Sequence, residues 1–324
     1  MLVPVLLFLV GFALLIKGGD WFVDGAVGIA HRFHLPELLI GATIVSIGTT
    51  LPEVMVSAQA AAEGNAGISY GNAIGSIICN TSLIAALTVA IRPGKVDPKS
   101  FRLPTAFFFA AALSYAVIAW TLGRFERWMG IVYLCVFVGY MILSTMQMKK
   151  HPALAAEEGE EESKSGETPL WKELALLVVG AAAIALGARF LVDNGTLIAA
   201  ALGVPDSVIG LTMVALGTSL PELITAITSL IKGHGALSLG NIIGANLFNI
   251  ILVSGMAITI APFAVPAEKT IAGFNSSLVV DLPVMFAVMA ILCLPTLKSG
   301  KLRRIQGVLL LAIYAAFTVY QFVS

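Results

Sequence analysis

Two glutamates stand inside apolar stretches of this chain, and both end the same short pattern. Glu53 ends the motif GTTLPE at residues 48–53, and Glu222 ends the motif GTSLPE at residues 217–222. Carboxylates can bind cations or carry protons. In a stretch that crosses a bilayer, a charged side chain at the centre costs at least about 2.5–3.5 kcal/mol on insertion scales. The repetition of this cost at matching motifs indicates that the two glutamates take part in function.

The composition is typical of a protein that crosses the membrane many times. Apolar residues make up 58% of the chain, charged residues only 12%, and the mean hydropathy is +0.94. A spanning helix needs about 20 apolar residues. The first apolar run has no basic lead and no cleavage site, so it is predicted to be a retained helix. The chain is predicted to be an all-α polytopic membrane protein with ten transmembrane helices, near residues 2–31, 36–62, 68–91, 104–122, 127–147, 170–200, 205–231, 237–261, 277–296 and 305–322.

The two halves of the chain are predicted to be copies of one five-helix unit. Like residues recur 169 positions apart (222 − 53), as in the pairs Glu53/Glu222, Asn72/Asn241 and Asn80/Asn249. Because five is an odd number, the second copy must enter the membrane from the opposite face, which is the inverted-repeat plan of many secondary transporters. The predicted parts are a first repeat at residues 1–148, a linker at 149–169 and an inverted repeat at 170–324.

Basic residues are distributed unevenly between alternate loops. The loops after odd-numbered helices hold 14 of the 19 Lys and Arg residues, whereas those after even-numbered helices hold 3. Short loops rich in Lys and Arg stay cytoplasmic, so both termini are predicted to lie outside the cell membrane and the 149–169 linker in the cytoplasm. The acidic run 157–162 in this linker could bind calcium as a regulator, but such runs usually keep a linker solvated. The solvated role is therefore predicted.

Each glutamate motif is predicted to carry a polar helix face. Helical steps of three and four residues place four positions of each half on one face, namely Ser46, Thr49, Thr50 and Glu53, and Ala215, Thr218, Ser219 and Glu222. The proline before each glutamate has no N–H, so the carbonyl four residues earlier loses its helical partner. Freed carbonyl oxygens at membrane depth are tolerated where they line a cavity or coordinate an ion.

A second polar stripe is predicted on the helix after each motif. Its members, at four-residue steps, are Asn72, Ser76 and Asn80 in the first half and Asn241, Ala245 and Asn249 in the second. The two stripes and two faces together offer the hard oxygen ligands that Ca²⁺ takes six to eight of and that Na⁺ also accepts. No His, Cys or Met belongs to them, which argues against zinc, copper or iron.

The other residues that could do chemistry are predicted to have ordinary structural roles. The three cysteines, Cys79, Cys135 and Cys293, lie inside apolar runs and are predicted to pack. The four histidines, His31, His34, His151 and His234, lie near helix ends or in loops, where solvated roles are expected. Asp24 and Asp193 fall late in their helices and are predicted to be caps or interface partners.

At the glutamate motifs the sequence resembles the calcium:cation antiporter superfamily, and within it the sodium/calcium exchangers of prokaryotic type. The stretches GTTLPE and GTSLPE, followed by GNAIGSIICN and GNIIGANLFN, are similar to the two signature repeats of that family. The resemblance covers essentially the whole chain. It implies alternating access, in which helices 1 and 6 slide past a core of helices 2, 3, 7 and 8.

Carried over residue by residue, the resemblance implies a metal site for transported ions. Its ligands would be Glu53, Glu222, Thr49, Thr218, Thr50, Ser219, Ser76, Asn80 and Asn249, and the backbone carbonyls of Ser46 and Ala215 would complete flanking sodium sites. The chain departs from the family pattern at two positions. Ala245 stands where a serine is common, and Asn249 stands where some members carry an aspartate. An asparagine at this position resembles the potassium-independent exchangers.

Several functions stay open at this level. The favoured one is secondary active exchange of Na⁺ for Ca²⁺, with membrane lipid as surroundings and with no cofactor, enzymatic activity or nucleic-acid partner expected. A proton/calcium antiporter is the nearest alternative, but the proton-coupled branch of the family has an acidic residue where Gly75 and Gly244 stand. A ten-helix drug or metabolite carrier would call for a roomier, aromatic-lined pocket. A passive channel is a further alternative.

Overall fold

A computed structural model of the chain describes residues 2–150, 169–202, 217–267, 270–271 and 273–323. Residues 151–168 of the predicted linker lie outside this part. The first half of the predicted seventh helix, including Ala215, lies outside it as well.

The described part is almost entirely helical. Its helices, α1 to α10 in chain order, are Leu2–Arg32, Glu37–Ala62, Ala66–Ile91, Pro98–Leu122, Arg127–Lys150, Leu170–Ala201, Leu220–Ile231, Gly235–Ile260, Ser277–Ser299 and Arg304–Val323. All but α7 are long and apolar enough to cross a bilayer, and α7 is described only from Leu220. The predicted all-α membrane fold is confirmed. The fourth helix begins six residues earlier than predicted (104 − 98) because Asp97 caps it by accepting hydrogen bonds from the backbone of Lys99 and Ser100.

Helices α1 and α6 form a closely packed antiparallel pair. A Cβ at Gly11 would lie 2.8 Å from the backbone oxygen of Gly187. Further along α1, a Cβ at Gly25 would lie 2.7 Å from the backbone oxygen of Glu173. Small residues let membrane helices approach this closely. The pair is also fastened at one end, where the Arg32 guanidinium donates to the Glu173 carboxylate at 2.8 Å.

Helix α8 lies at the centre of the bundle and packs directly against α2. A Cβ at Gly240 would overlap the α2 backbone, and a Cβ at Gly244 would lie 2.6 Å from the Ala42 Cα. The Ser46 hydroxyl donates to the backbone oxygen of Asn241 at 2.9 Å. Because α2 belongs to the first half and α8 to the second, the two halves share one core.

Two of the core helices contain a widened, π-helical turn at repeat-related positions. The turn covers Asn80–Ala85 in α3 and Asn249–Ser254 in α8, six residues in each case. Both turns begin at an asparagine of the pair separated by 169 positions. Widened turns of this kind occur frequently at functional sites, and the sequence patterns did not predict them. Two more lie at Gly41–Val45 in α2 and Ser277–Asp281 in α9.

Lysine and aspartate side chains connect α1 to the core near the end of α1. Lys232, which follows α7, places its Nζ 2.7 Å from Asp24 Oδ1 and 3.4 Å from Asp20 Oδ1. The prediction that Asp24 is an interface partner is therefore confirmed. Asp193 pairs with Arg189 one turn earlier in α6, at 3.5 Å.

Two histidines at the same end hold a buried carboxylate. His234 Nδ1 lies 2.7 Å from Glu37 Oε1, and His31 Nε2 lies 3.6 Å from the same oxygen. Glu37 is 8% exposed. The prediction of ordinary solvated roles is wrong for these two histidines, because a buried carboxylate requires polar partners. His34 is exposed, as predicted.

Two backbone junctions join loops at opposite ends of the bundle. Between α4 and α5, strand β1 (Arg124–Phe125) pairs antiparallel with β2 (Phe263–Ala264), which lies between α8 and α9. At the other end, Lys95 between α3 and α4 is bridged to Lys301 between α9 and α10. A hairpin precedes α9, with strands β3 and β4 at Thr270–Ile271 and Phe274–Asn275.

Candidate ion-binding site

Glu53 and Glu222 are both completely buried, with 0% of either residue exposed. Within the described residues, none of their four carboxylate oxygens has a hydrogen-bond partner, and no ion pair there includes them. The two carboxylates interact electrostatically with each other. The Thr49 hydroxyl lies beside the Glu222 carboxylate. The fold thus brings together one glutamate from each half, as the repeat predicted.

Other buried polar atoms, on α2, α3 and α8 and just before α7, also have no partner. They are Thr50 Oγ1, Ser219 Oγ, Asn80 Oδ1 and Nδ2, and Asn249 Oδ1, each counted over the described part of the chain. A buried polar group without a hydrogen bond costs about 1–3 kcal/mol, and folded proteins keep few of them. The oxygens among these atoms are of the hydroxyl and amide kinds that can serve, with carboxylates, as ligands of a hard cation.

The amide group of Asn249 is oriented by the widened turn of α8. Its Nδ2 donates to the backbone oxygen of Ala245 at 3.1 Å, which leaves Oδ1 available to a ligand. The Ser254 hydroxyl closes the same turn by donating to the Asn249 backbone oxygen at 2.9 Å. Ala245 is buried and contributes no side-chain oxygen.

Hydrogen bonds within the first half, and one to the second half, hold the α2 motif in place. The Thr49 hydroxyl lies 3.1 Å from Asn241 Oδ1 and 3.5 Å from the backbone oxygen of Ser46. Asn72 donates from its Nδ2 to the backbone oxygen of Glu53 at 3.1 Å. Asn72 and Asn241 therefore position the motif that carries Glu53. Both belong to the predicted polar stripes, but neither was among the ligands that the family resemblance implied.

A cavity of about 520 Å³ extends from the site towards the end of the bundle where α3 begins. Its wall is built from α3, α9 and α10. Ser76, Cys79 and Thr218 line its inner part, and Asp281 and Gln321 line its outer part. Ser76 and Thr218, both predicted ligands, thus lie where the cavity meets the buried carboxylates.

Cys79 is buried, as expected of a packing residue, and directly precedes the widened turn at Asn80. It also lines the inner part of the cavity, and the Tyr314 hydroxyl lies 3.9 Å from its Sγ. No group of three His, Cys, Asp or Glu side chains in the described ranges is close enough to hold a metal. A cation here must therefore also use hydroxyl, amide and carbonyl oxygens.

The fold and the motifs match known proteins along nearly the whole chain. The family model described as sodium/calcium exchanger protein matches residues 3–146 and 172–323. The chain is 32% identical to the sodium/calcium exchanger MaX1 of Methanosarcina acetivorans over 350 residues, covering 98% of each protein. It is 37% identical to the putative antiporter CaxA of Alkalimonas amylolytica over 327 residues, covering 99% of this chain and 98% of CaxA.

Solved structures of one exchanger have the same fold. The structure of the sodium-calcium exchanger NCX_Mj soaked with 2.5 mM Na⁺ and 1 mM Sr²⁺ matches with a TM-score of 0.82 and 33% identity, covering 98% of each chain. The members of this family are antiporters that span the membrane. This chain, with its paired buried glutamates and a family match over both halves, belongs to the sodium/calcium exchanger family.

Proposed function

We propose that the protein exchanges Na⁺ for Ca²⁺ across the membrane by alternating access, and that Ca²⁺ binds between Glu53 and Glu222. The observation that carries this proposal is the set of four buried carboxylate oxygens without a hydrogen-bond partner in the described residues. Two uncompensated charges inside a protein are strongly unfavourable, and one divalent cation neutralises both. MaX1 and NCX_Mj are named as sodium/calcium exchangers, which supports Na⁺ and Ca²⁺ as the two exchanged ions.

The remaining ligands of Ca²⁺ and Na⁺ are assigned to the polar groups around the two glutamates. Ca²⁺ takes six to eight oxygens, more than two carboxylates supply. The assigned groups are the side chains of Thr49, Thr50, Thr218, Ser219, Ser76, Asn80 and Asn249, with the backbone carbonyls of Ser46 and Ala215. The position of Ala245 lacks the hydroxyl that Ser76 offers at the equivalent position of the first half. One flanking sodium site therefore has fewer side-chain ligands than the other.

Competition for the same carboxylates couples the two ions. One Ca²⁺ or a set of Na⁺ ions can neutralise Glu53 and Glu222, so binding of one ion excludes the other. The empty chamber carries two negative charges and resists passage through the low-dielectric core. A filled chamber crosses more easily, so exchange proceeds without ATP and follows the sodium gradient.

The movement is assigned to α1 and α6 as one unit. Their glycine-mediated packing supports joint movement. The α1–α6 unit contacts the core at the first glycine of each glutamate motif. Phe22 of α1 packs against Gly48, and Val192 of α6 packs against Gly217. Because glycine has no side chain, these contacts present little obstacle to sliding of α1 and α6 past the core.

We place both termini outside the cell membrane and the 149–169 linker, which joins the two repeats, in the cytoplasm. The basis is the distribution of Lys and Arg between alternate loops. In this orientation the 520 Å³ cavity opens outwards. The described conformation then has its cavity facing outwards, while the two carboxylates stay buried.

Sodium is favoured over protons as the coupling ion by the glycines of α3 and α8. A Cβ at Gly244 would meet the Ser46 hydroxyl and the Ala42 backbone, so an acidic side chain cannot stand there without moving α2. At Gly75 no atom lies within 4 Å of a Cβ position, so the glycine there is not required by space. CaxA is named only as a putative antiporter, which leaves its coupling ion open.

The test is ion flux in proteoliposomes that contain the full-length protein. Vesicles loaded with Na⁺ and diluted into sodium-free buffer are expected to accumulate calcium-45, and Glu53→Gln and Glu222→Gln are expected to reduce this uptake to background. The matched control is Glu63→Gln, because Glu63 lies at the exposed end of α2 and bonds only Gln59 in the described residues, at 2.9 Å. Persistent exchange in both site variants would overturn the assigned role. Calcium uptake that is driven by a pH gradient in the absence of Na⁺ would show that protons, and not sodium ions, are the coupling ions.

A further inference from the structure

Two cationic loops are held together by backbone hydrogen bonds at one end of the bundle. Lys95 and Lys301 stand opposite each other in an antiparallel bridge. On either side of it, Val96 N donates to Gly300 O and Leu302 N donates to Gly94 O, each at 2.9 Å. Like charges placed directly opposite each other destabilise an antiparallel pairing. The backbone therefore fixes an arrangement that the side-chain charges oppose.

Eight exposed basic residues surround this bridge, and we refer to them as the basic ledge. Four come from the α3–α4 segment: Arg92, Lys95, Lys99 and Arg102. Four come from the α9–α10 segment: Lys298, Lys301, Arg303 and Arg304. In the described part of the chain, none of the eight has a carboxylate within ion-pair distance.

Asp97 lies among the ledge residues of the α3–α4 segment, and its carboxylate caps the start of α4. It accepts hydrogen bonds from the Ser100 amide at 2.8 Å, the Ser100 hydroxyl at 2.7 Å and the Lys99 amide at 3.1 Å. Partial burial alone would raise the pKa of Asp97, but the hydrogen bonds from Ser100 and Lys99 lower it overall. The side chain stays ionised, so the formal charge of the ledge is +7, from eight basic groups and one acid.

The equivalent junction at the other end of the bundle carries fewer charges, and one of its arginines is paired with a carboxylate. There β1 and β2 join the α4–α5 and α8–α9 segments in the same way. Arg124 Nε lies 2.7 Å from Glu126 Oε1, and Arg127 donates to the backbone oxygen of Ile260 at 3.2 Å. A backbone junction of this kind therefore does not itself need a cluster of like charges.

Apolar side chains that face outwards lie directly beside the ledge. Ile91, Leu294 and Ile305 are 61%, 55% and 73% exposed and belong to the helices that end or begin there. In a membrane such side chains contact acyl chains. The Lys and Arg side chains therefore lie at the depth of the phospholipid phosphates, where basic clusters attract anionic lipids.

We propose that the basic ledge is a binding site for the headgroups of anionic phospholipids. A phosphodiester between Lys95 and Lys301 relieves their mutual repulsion, and its acyl chains pack on the adjacent apolar residues. The site is separate from the glutamate chamber. The proposal does not depend on which ions the protein exchanges.

The experiment measures lipid binding to the full-length protein in detergent by native mass spectrometry. The probes are dioleoyl-phosphatidylglycerol, dioleoyl-phosphatidylcholine and inorganic phosphate. The wild type is expected to bind phosphatidylglycerol in preference to phosphatidylcholine, and this preference is expected to weaken at high salt. The double variant Lys95→Gln with Lys301→Gln is expected to bind phosphatidylglycerol about tenfold more weakly, the loss of two phosphate contacts in a salt-dependent site.

The control is Arg124→Gln with Arg127→Gln, which removes two charges from the opposite junction and is expected to leave phosphatidylglycerol binding unchanged. Size-exclusion profiles and calcium-45 exchange in phosphatidylcholine vesicles establish that both double variants are folded. Equal phosphatidylglycerol binding by the ledge variant and the wild type would overturn the proposal. Displacement of the lipid by millimolar inorganic phosphate would overturn it in favour of a free-anion site.

Discussion

Lys232 follows α7 and contacts two carboxylates of α1, so its replacement by glutamine tests the proposed movement directly. Its Nζ lies 2.7 Å from Asp24 Oδ1 and 3.4 Å from Asp20 Oδ1, and it donates to the Asp20 backbone oxygen at 3.1 Å. In the proposed mechanism α1 slides while α7 belongs to the core. These contacts therefore stabilise the described conformation and break when α1 moves.

The size of the effect follows from the exposure of the two pairs. The Lys232 side chain is 25% exposed and that of Asp24 is 55% exposed, so solvent weakens the attraction. An exposed ion pair contributes about 0.2–1 kcal/mol, which gives about 1 kcal/mol for the two together. Because 1.4 kcal/mol corresponds to a factor of ten, Lys232→Gln is expected to shift the ratio of the two conformations about fivefold.

The shift is measured as the apparent calcium affinity on each side of the membrane. A ligand that binds a minor conformation gains apparent affinity in proportion to the population of that conformation. The half-saturating Ca²⁺ concentration for uptake from the side where α1 ends is therefore expected to fall about fivefold in Lys232→Gln. Inside-out and right-side-out membrane vesicles give the two sides separately.

Lys17→Gln is the matched control for Lys232→Gln. Lys17 Nζ lies 3.9 Å from Asp20 Oδ2 within α1 itself, so this pair moves with α1 and does not distinguish the conformations. Half-saturating concentrations in Lys17→Gln are expected to equal those of the wild type. An unchanged value in Lys232→Gln, or an equal change in both variants, would refute the assignment of Lys232 as a contact that α1 must break.

Three further substitutions test the core, the site and the α1–α6 pair. Gly244→Ala places a Cβ 2.6 Å from the α2 backbone and is expected to destabilise the protein by about 1–3 kcal/mol; its melting temperature in detergent should fall, while Gly75→Ala, which meets no atom within 4 Å, should leave it unchanged. Asn249→Asp adds a third carboxylate and is expected to tighten calcium binding several-fold by calorimetry, since ligand charge sets calcium affinity; unchanged affinity would remove Asn249 from the ligand set. Arg32→Gln removes the guanidinium from Glu173, which is 3% exposed on its side chain, and is expected to lower the melting temperature in detergent because a buried carboxylate loses a charged partner; an unchanged melting temperature would contradict that contribution.

The helices and the pairing of the two glutamates could be predicted from sequence because strong local signals encode them. Spans follow from apolar runs of about 20 residues. The recurrence of Glu53 and Glu222 at equivalent positions of two copies placed them together without any knowledge of packing. The resemblance to the exchangers added α1 and α6 as a separate unit, which no periodicity in the sequence indicates.

The details that the sequence did not predict depend on tertiary packing. The widened turn at Asn80–Ala85 leaves no mark in the composition of the helix, so the sequence could not predict which neighbours surround Asn80. The contact of His31 and His234 with Glu37 depends on where the α1–α2 and α7–α8 turns meet. Single-chain patterns contain no such distance information.

The two widened turns bear on what the halves of the chain have in common. They begin at asparagines 169 positions apart and have equal length. The halves therefore share a local irregularity of the backbone as well as their motifs, so the correspondence between them extends from residue types to hydrogen-bond geometry.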